Sequence, residues 1–267
     1  MLHAFICCAR LAYADRFEYL TDPDFADVPW DGLLSEAYTR RRRESIKDTV
    51  PAAFEPGDPW IEEGRRPSET PAASRPALDV GTTHLCVIDG DGNAVSLTNT
   101  LMSGFGSGIV PRGTGIVMNN GMMWFDPIPG RANSIAPGKR PLSNMCPVIM
   151  CDRAGCRTAI GASGGRRIMS AVLQLLSFLA DCQMTVQDAM HQPRIDVSGG
   201  TDITVDPLLD PDIVEYLSRH YSVITVPQGV YPSMYACPGI AQFDSRTGNS
   251  TGAAFVMSPV AAAVAVD

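Results

Sequence analysis

The feature that most constrains this 267-residue chain is an abrupt change of character at Thr82. Upstream, Pro51, Pro56, Pro59, Pro67, Pro71 and Pro76 punctuate residues 49–81, a stretch with little aliphatic periodicity that reads as a mobile linker. Downstream, short strands begin at once. Thr83 to Asp89 and Ala94 to Thr100 flank Gly90-Asp91-Gly92-Asn93, and Pro147 to Cys151 with Arg157 to Ile160 flank Asp152-Arg153-Ala154-Gly155. Both patterns are hairpin signals, because these turn residues accept the backbone angles a tight reversal needs.

Helices follow. Ile168 to Ala180 is apolar nearly all round and should be buried, Thr185-Val186-Gln187-Asp188 looks like a helix start that ends before Pro193, and Asp210-Pro211 places a capping carboxylate and a first-turn proline ahead of a helix reaching His220. Strands then resume at Tyr221 to Val226, Ala236 to Phe243 and Gly252 to Val256. This order predicts an α+β fold in layers rather than alternating βαβ units. Ahead of the linker, residues 4–19 and Ser35 to Ile46 read as helices with turns at Asp22-Pro23-Asp24 and Val28-Pro29. Two helices with this little apolar surface look like the remnant of something larger. The expected organisation is therefore a helical part over 1–48, a linker over 49–81 and a catalytic domain over 82–267.

A formal charge of −8 and an isoelectric point near 5.0 argue against a nucleic-acid partner, since phosphate binding needs a basic surface. The basic run Arg40 to Arg43 reads as a solvated helix end. No stretch of ~18 apolar residues could span a bilayer, and residues 1–16 make a poor signal peptide. The eight cysteines form no CxxC pair and read first as buried free thiols, then as disulfide partners and last as metal ligands. They point to the cytoplasm, with the periplasm left open. No metal or cofactor motif is found.

His3, His84, His191 and His220 have no recognisable catalytic partner in the sequence. The glycine-rich Gly161-Ala162-Ser163-Gly164-Gly165, between a strand and a helix, could cradle an anion with its amides but lacks the lysine and spacing of a P-loop. The distinctive site is Asp79-Val80-Gly81-Thr82-Thr83-His84, where linker meets strand. A threonine hydroxyl is a weak nucleophile that its own α-amine can activate when the residue is a chain terminus, and glycine before it leaves the carbonyl open to attack. A polar strand start is the plain alternative.

Several motifs, in order, resemble the small subunit of gamma-glutamyltranspeptidases: Gly81-Thr82-Thr83-His84, Asp91-Gly92-Asn93-Ala94-Val95-Ser96, Phe105-Gly106-Ser107-Gly108, Asn119-Asn120, Pro137-Gly138-Lys139-Arg140-Pro141-Leu142-Ser143 and Gly164-Gly165. Arg10 to Arg16 and Asp22 to Phe25 resemble the end of that family's large subunit, and residues 49–81 its processing linker. The resemblance implies the αββα sandwich of N-terminal nucleophile hydrolases in incomplete form. It also implies self-cleavage between Gly81 and Thr82, with the freed Thr82 attacking a small-molecule amide without metal or cofactor. By the same resemblance Gly164 and Gly165 form the oxyanion hole, Thr100 bonds the new amine, and Asn120, Ser143 and Asn144 bind substrate.

The departures bear on substrate and completeness. Asn119-Asn120-Gly121-Met122-Met123-Trp124 lacks the carboxylates of the family's Asn-Asn-Gln-Met-Asp-Asp, Met102 stands where asparagine is usual, and Asn144 replaces a serine. Losing a charge-assisted bond to a glutamyl ammonium costs ~1.5–3 kcal/mol, about ten- to a hundredfold. An amidase resembling oxamate amidohydrolase is thus an alternative, as are an inactive fragment and a binding module using the glycine nest. Family precursors carry several hundred residues ahead of the first helix, so a missing large-subunit half or a second copy is the expected partner.

Overall fold

A computed structural model describes residues 2–51, 53–67, 71, 73, 81–153, 155–198, 200–230, 234–255 and 257–265. The chain divides into a helical unit, residues 1–78, 121–143 and 197–201, and a sheet unit formed by the rest.

In the helical unit, α1 (Leu2–Tyr19) buries Ile6, Cys7, Ala9, Tyr13 and Asp15. Two short helices follow, α2 (Trp30–Leu34) and α3 (Glu36–Glu44), the latter capped by the Ser35 hydroxyl, which accepts from the Tyr38 amide at 3.0 Å. The helix expected from Ser35 to Ile46 is thus present, and α2 was too short to leave a periodic signal. Arg42 departs from the solvated reading of the basic run. Its Nε and Nη2 donate to the Asp15 carboxylate at 3.2 and 2.9 Å, and Nη2 also donates to the Leu11 and Glu55 carbonyls.

The linker expectation is corrected in part. Residues 53–67 contain the helical turn α4 (Trp60–Glu63), with Trp60 buried, the Gly57 amide donating to Asp15 at 2.8 Å and the Gly32 amide donating to Glu63 at 2.9 Å. Proline-rich composition hides such packing because a few anchors, rather than a periodic stripe, hold the chain. Within the expected linker, residues 52, 68–70, 72 and 74–80, and so Asp79 and Val80, lie outside the described residues.

In the sheet unit, β1 (Thr82–Ile88) and β2 (Ala94–Thr100) form an antiparallel hairpin. β3 (Val148–Cys151) and β4 (Cys156–Ser163) form the second hairpin, followed by α5 (Arg167–Ala180) and α6 (Val186–His191). Next come β5 (Ile195–Asp196), β6 (Ile203–Val205), α7 (Pro211–His220) and β7 (Val223–Thr225), then β8 (Cys237–Asp244) and β9 (Asn249–Ala254). The caps expected at Thr185 and Asp210 both form. Val256, expected in the last strand, lies outside the described residues.

The main sheet has the order β3-β4-β8-β9, antiparallel throughout. Even-numbered Ile160 and Ala162 of β4 face α5 and α6, in a core with Ile168, Val172, Leu175, Val186, Met190, Ile240 and Phe255. Each large aliphatic side chain buried there contributes ~1.5–3 kcal/mol. Alternation turns the odd-numbered residues to the opposite face, where the β1–β2 hairpin lies. The small sheet β5-β6-β7 includes a parallel pair, β6 with β7, joined through α7. One βαβ unit is therefore present where none was expected; β5 and β6 are too short for periodicity to reveal.

The hairpin is amphipathic in an inverted sense. Thr82, His84 and Cys86 of β1 and Ser96, Thr98 and Thr100 of β2 face the main sheet, while Leu85, Val87, Val95 and Leu97 point outward and are exposed. The strands are layered as the αββα pattern requires, and no described residue covers the outer side of the hairpin.

All eight cysteines are free thiols. Only Cys7 is fully buried, four are half-buried, and Cys8, Cys151 and Cys182 are exposed, so the expectation of buried thiols fails for these three. Among the described residues no helix is long and apolar enough to cross a membrane, and no cluster of His, Cys, Asp or Glu could hold a metal ion.

Candidate active site

Thr82 and Thr100 are directly opposed in the hairpin register, and their hydroxyl oxygens are 3.0 Å apart. The Thr100 hydroxyl donates to the Gly81 carbonyl at 3.1 Å and accepts from the Met102 amide at 2.8 Å. With its one proton given to Gly81, Thr100 accepts from Thr82. The Gly81 carbonyl also accepts from the Leu101 amide at 3.4 Å. The carbonyl ahead of Thr82 is therefore polarised by two donors.

Gly81 is required by its backbone. Its φ is +99°, and a Cβ there would lie 2.8 Å from the Ser103 carbonyl oxygen. Met102 also has a positive φ, 75°, and is buried. Asparagine tolerates this region far better than methionine, so the departure at Met102 carries backbone strain of ~1–3 kcal/mol. Asn120 braces the same turn: its Oδ1 accepts from the Ser103 amide at 3.0 Å, its Nδ2 donates to the Ser103 hydroxyl at 2.8 Å, and its amide donates to the Leu101 carbonyl at 3.1 Å.

Gly164 and Gly165 form the turn from β4 into α5, with φ of +132° and +62°. A Cβ on Gly164 would lie 2.8 Å from Ala236 Cα, so both conformation and space demand glycine. Among the described residues no side chain caps the start of α5, where the Arg167 and Ile168 amides donate to the Gly164 and Gly165 carbonyls at 3.3 and 3.1 Å.

Three cross-layer bonds and packings place that turn at the Thr82 end of the hairpin. Arg157 Nη1 donates to the Gly92 carbonyl at the hairpin tip, Ser96 Oγ donates to the Ile160 carbonyl at 2.9 Å, and the His84 ring packs on Gly161. As β4 advances from Arg157 to Gly161, the facing hairpin runs back from its tip towards Thr82. Continuing two residues brings Thr82 and Thr100 level with Ser163 and the glycines beyond it.

Of the expected site residues, Thr82, Thr100 and Gly81 are joined by hydrogen bonds, Asn120 bonds to Leu101 and Ser103 of the adjoining turn, and Gly164 and Gly165 lie at the same end of the sandwich. Asn144 belongs to the sheet unit and is buried. Ser143 belongs to the helical unit, where its carbonyl accepts from Arg16 Nη2 at 2.5 Å. The remaining histidines bind backbone carbonyls: His3 to Lys47, His191 to Gln187 and His220 to Tyr216. His84 has partners that the sequence reading missed, with Nδ1 2.9 Å from the Thr98 hydroxyl and Nε2 3.1 Å from the Cys86 thiol. Its position, two residues from Thr82 and hence on the same strand face, was the available signal.

In the helical unit, Asp126 is buried and held within its own loop. Its carboxylate accepts from Arg131 Nη1 at 3.0 Å and from the Ile128 amide at 2.9 Å, while its amide donates to the Asn133 carbonyl at 2.8 Å. Asp22 is bound by Arg140 through both the side chain and the amide, which holds its carboxyl well below the usual range.

The family model described as Gamma-glutamyltranspeptidase matches residues 1–242. The glutathione hydrolase proenzyme of Bacillus subtilis strain 168 is 35% identical over 211 residues, covering 78% of this chain and 36% of that protein. Among solved structures, a gamma-glutamyltranspeptidase from Pseudomonas nitroreducens complexed with L-DON matches with a TM-score of 0.58 at 28% identity, covering 69% of this chain and 100% of that one. The cephalosporin acylase from Bacillus halodurans matches with a TM-score of 0.74 at 26% identity, covering 96% of this chain and 43% of that one. The chain thus spans about 36% of the length of the glutathione hydrolase it matches.

Proposed function

The chain belongs to the gamma-glutamyltranspeptidase family, and we propose that Thr82 is the nucleophile of an amide hydrolase or acyltransferase, released by cleavage of the Gly81–Thr82 bond. The observation that carries this reading is the Thr82–Thr100–Gly81 chain of bonds, at 3.0 and 3.1 Å. In cleavage, Thr82 Oγ adds to the Gly81 carbonyl carbon as its proton leaves. The C–N bond then breaks, the nitrogen takes up a proton, and an ester joins Gly81 to the Thr82 oxygen. Water hydrolyses that ester to a Gly81 carboxylate and a Thr82 with a free α-amine. The amine, whose ordinary pKa is ~7.7–8.0, serves as base when the hydroxyl attacks a substrate amide. Backbone amides at Gly164 and Gly165 hold the oxyanion, and water or an amine takes the acyl group.

A second reading concerns the donor. Asp126, the acid nearest in sequence to Asn119-Asn120-Gly121-Met122-Met123-Trp124-Phe125, is committed to Arg131 and its own loop. This favours a donor with a carboxylate but no α-ammonium, or a small amide of the oxamate type. The exposed aliphatic face of the hairpin supports a further layer from a large-subunit half as the partner of this chain.

Mass spectrometry of the purified chain and of the chain joined with a family large subunit tests the nucleophile. A new terminus at Thr82, with processing and turnover both lost in Thr82→Ala, is expected; turnover in a folded Thr82→Ala protein overturns the reading. The same preparation should hydrolyse glutaryl anilide with a kcat/KM at least equal to that for gamma-glutamyl anilide. A preference of ~100-fold for the glutamyl compound, ~3 kcal/mol, would show that another acid binds the ammonium.

A further inference from the structure

The seam between the hairpin and the main sheet is unusually polar. Three of the four inward residues of β1 are Thr82, His84 and Cys86, with Thr100, Thr98 and Ser96 directly opposite on β2; only the rung nearest the tip, Ile88 with Ala94, is apolar. Facing sheets ordinarily meet through apolar side chains, because an unpaired polar group there costs ~1–3 kcal/mol. Here the rungs are closed by bonds: Thr82 to Thr100 at 3.0 Å, His84 Nδ1 to Thr98 at 2.9 Å, and His84 Nε2 to the Cys86 thiol at 3.1 Å.

The main sheet meets His84 with a gap. Gly161 of β4 and Gly239 of β8 are paired across the ladder. A Cβ on Gly161 would lie 2.2 Å from His84 Cε1 and 2.6 Å from Nε2, and one on Gly239 would lie 3.9 Å from Cδ2. Neither glycine has a positive φ, so these positions need room rather than backbone freedom. Glycine inside a strand costs ~0.5–1 kcal/mol relative to alanine. The sheet bears that cost at two paired positions, and the imidazole occupies the space.

We propose that His84 is a positioning residue, whose neutral imidazole, seated over Gly161 and Gly239 and bonded to Thr98, sets the register of the hairpin on β4 and thereby the placement of the Thr82 hydroxyl against the Gly164-Gly165 turn. This rests on the reading of Thr82 as the nucleophile. Thr82 is two residues from His84 on β1, and Gly164 is three residues from Gly161 on β4, so a slip at the ring is transmitted along short stretches of strand to the reacting groups. A misplacement of ~1 Å there is worth ~10²-fold in rate.

The groups facing the ring favour its neutral form. From β1 comes the Cys86 thiol, pushed up by burial to about 11 and so protonated; from β2 comes the Thr98 hydroxyl; from β4 and β8 come glycines. Further along β8 is the Cys237 thiol, also raised by burial, with Arg194 beyond it, and at the far strand ends are Cys156, Arg157 and Asp244. Cleavage would add the Thr82 α-amine. A second ring proton would thus sit without a facing carboxylate, and burial already pushes the imidazole below its ordinary 6.5.

The test is nitrogen-15 and methyl NMR on the intact chain across pH, which needs no active preparation. His84 should titrate below 6.5, and the Thr82 and Thr100 methyl signals with the Gly164 and Gly165 amides should move with the same midpoint, becoming flat in His84→Gln. A ring titrating at or above 6.5, or a titration that leaves those signals unmoved, overturns the proposal. In the processed enzyme His84→Phe, which fills the gap without the bonds, should lower kcat ~10²-fold at unchanged KM, and His84→Gln should recover most of the loss. Wild-type kcat in His84→Phe overturns it as well. Turnover that survives Thr82→Ala would instead overturn the nucleophile and leave the NMR coupling standing.

Discussion

Replacing Thr100 with valine keeps the branched shape at the end of β2 and removes one oxygen. That oxygen lies 2.8 Å from the Met102 amide nitrogen, 3.0 Å from Thr82 Oγ1 and 3.1 Å from the Gly81 carbonyl oxygen. Two separable losses follow. Met102 is only 2% exposed and already holds a left-handed backbone, so its amide cannot readily turn to water for a new acceptor. Leaving such a donor unpaired costs ~1–3 kcal/mol. At ~2–4 °C per kcal/mol for a chain of this size, the melting temperature should fall by ~2–12 °C. The second loss is chemical: removing one of the two donors on the Gly81 carbonyl should slow scission at Gly81–Thr82 by ~10²–10³-fold. Scanning fluorimetry reads the first, and mass spectrometry of the fragment beginning at Thr82, in the chain joined with a large subunit, reads the second. Thr100→Ser retains the oxygen and should restore both. A Thr100→Val chain with wild-type melting and wild-type scission, or a serine variant as impaired as valine, would refute the bonding scheme.

Gly164→Ala should lower the unfolding midpoint in urea by an amount equivalent to ~1–3 kcal/mol, because φ of +132° is strained for alanine and Ala236 Cα stands 2.8 Å from the new Cβ; an unchanged midpoint would mean that the turn yields freely. The Asp22 carboxyl is held below its ordinary 3.8 by Arg140, so its share of stability is fully present above 3.8 and is lost as pH falls through the folded value. Asp22→Asn should therefore flatten the acid limb of a stability–pH profile, and an acid limb as steep as the wild type's would count against the pair. Leu85→Glu with Leu97→Glu on the outward hairpin face should reduce aggregation of the isolated chain and block assembly with a large subunit, both read by light scattering. Assembly undiminished by two charges would place the interface elsewhere.

What the sequence determined by itself was local or strongly periodic. The turn residues at Gly90 to Asn93 set the first hairpin, Thr185 and Asp210 set helix starts through their own side chains, and the apolar Ile168 to Ala180 specified a buried helix. The order of glycine, threonine and asparagine motifs was equally legible and named the family. Decisions that depend on residues far apart in the chain belonged to the tertiary structure. Asp15, Arg42 and Gly57 meet across three segments to order a stretch that composition alone labels linker. The commitment of Asp126 to Arg131 is settled by how one loop closes. The role of His84 becomes visible only when β1 lies over Gly161 and Gly239, since a side chain and the space that admits it are written in strands more than 70 residues apart. Backbone preference and hydrophobic period act within a few residues and can be read directly, whereas hydrogen-bond partners and available volume are properties of neighbours that folding alone brings together.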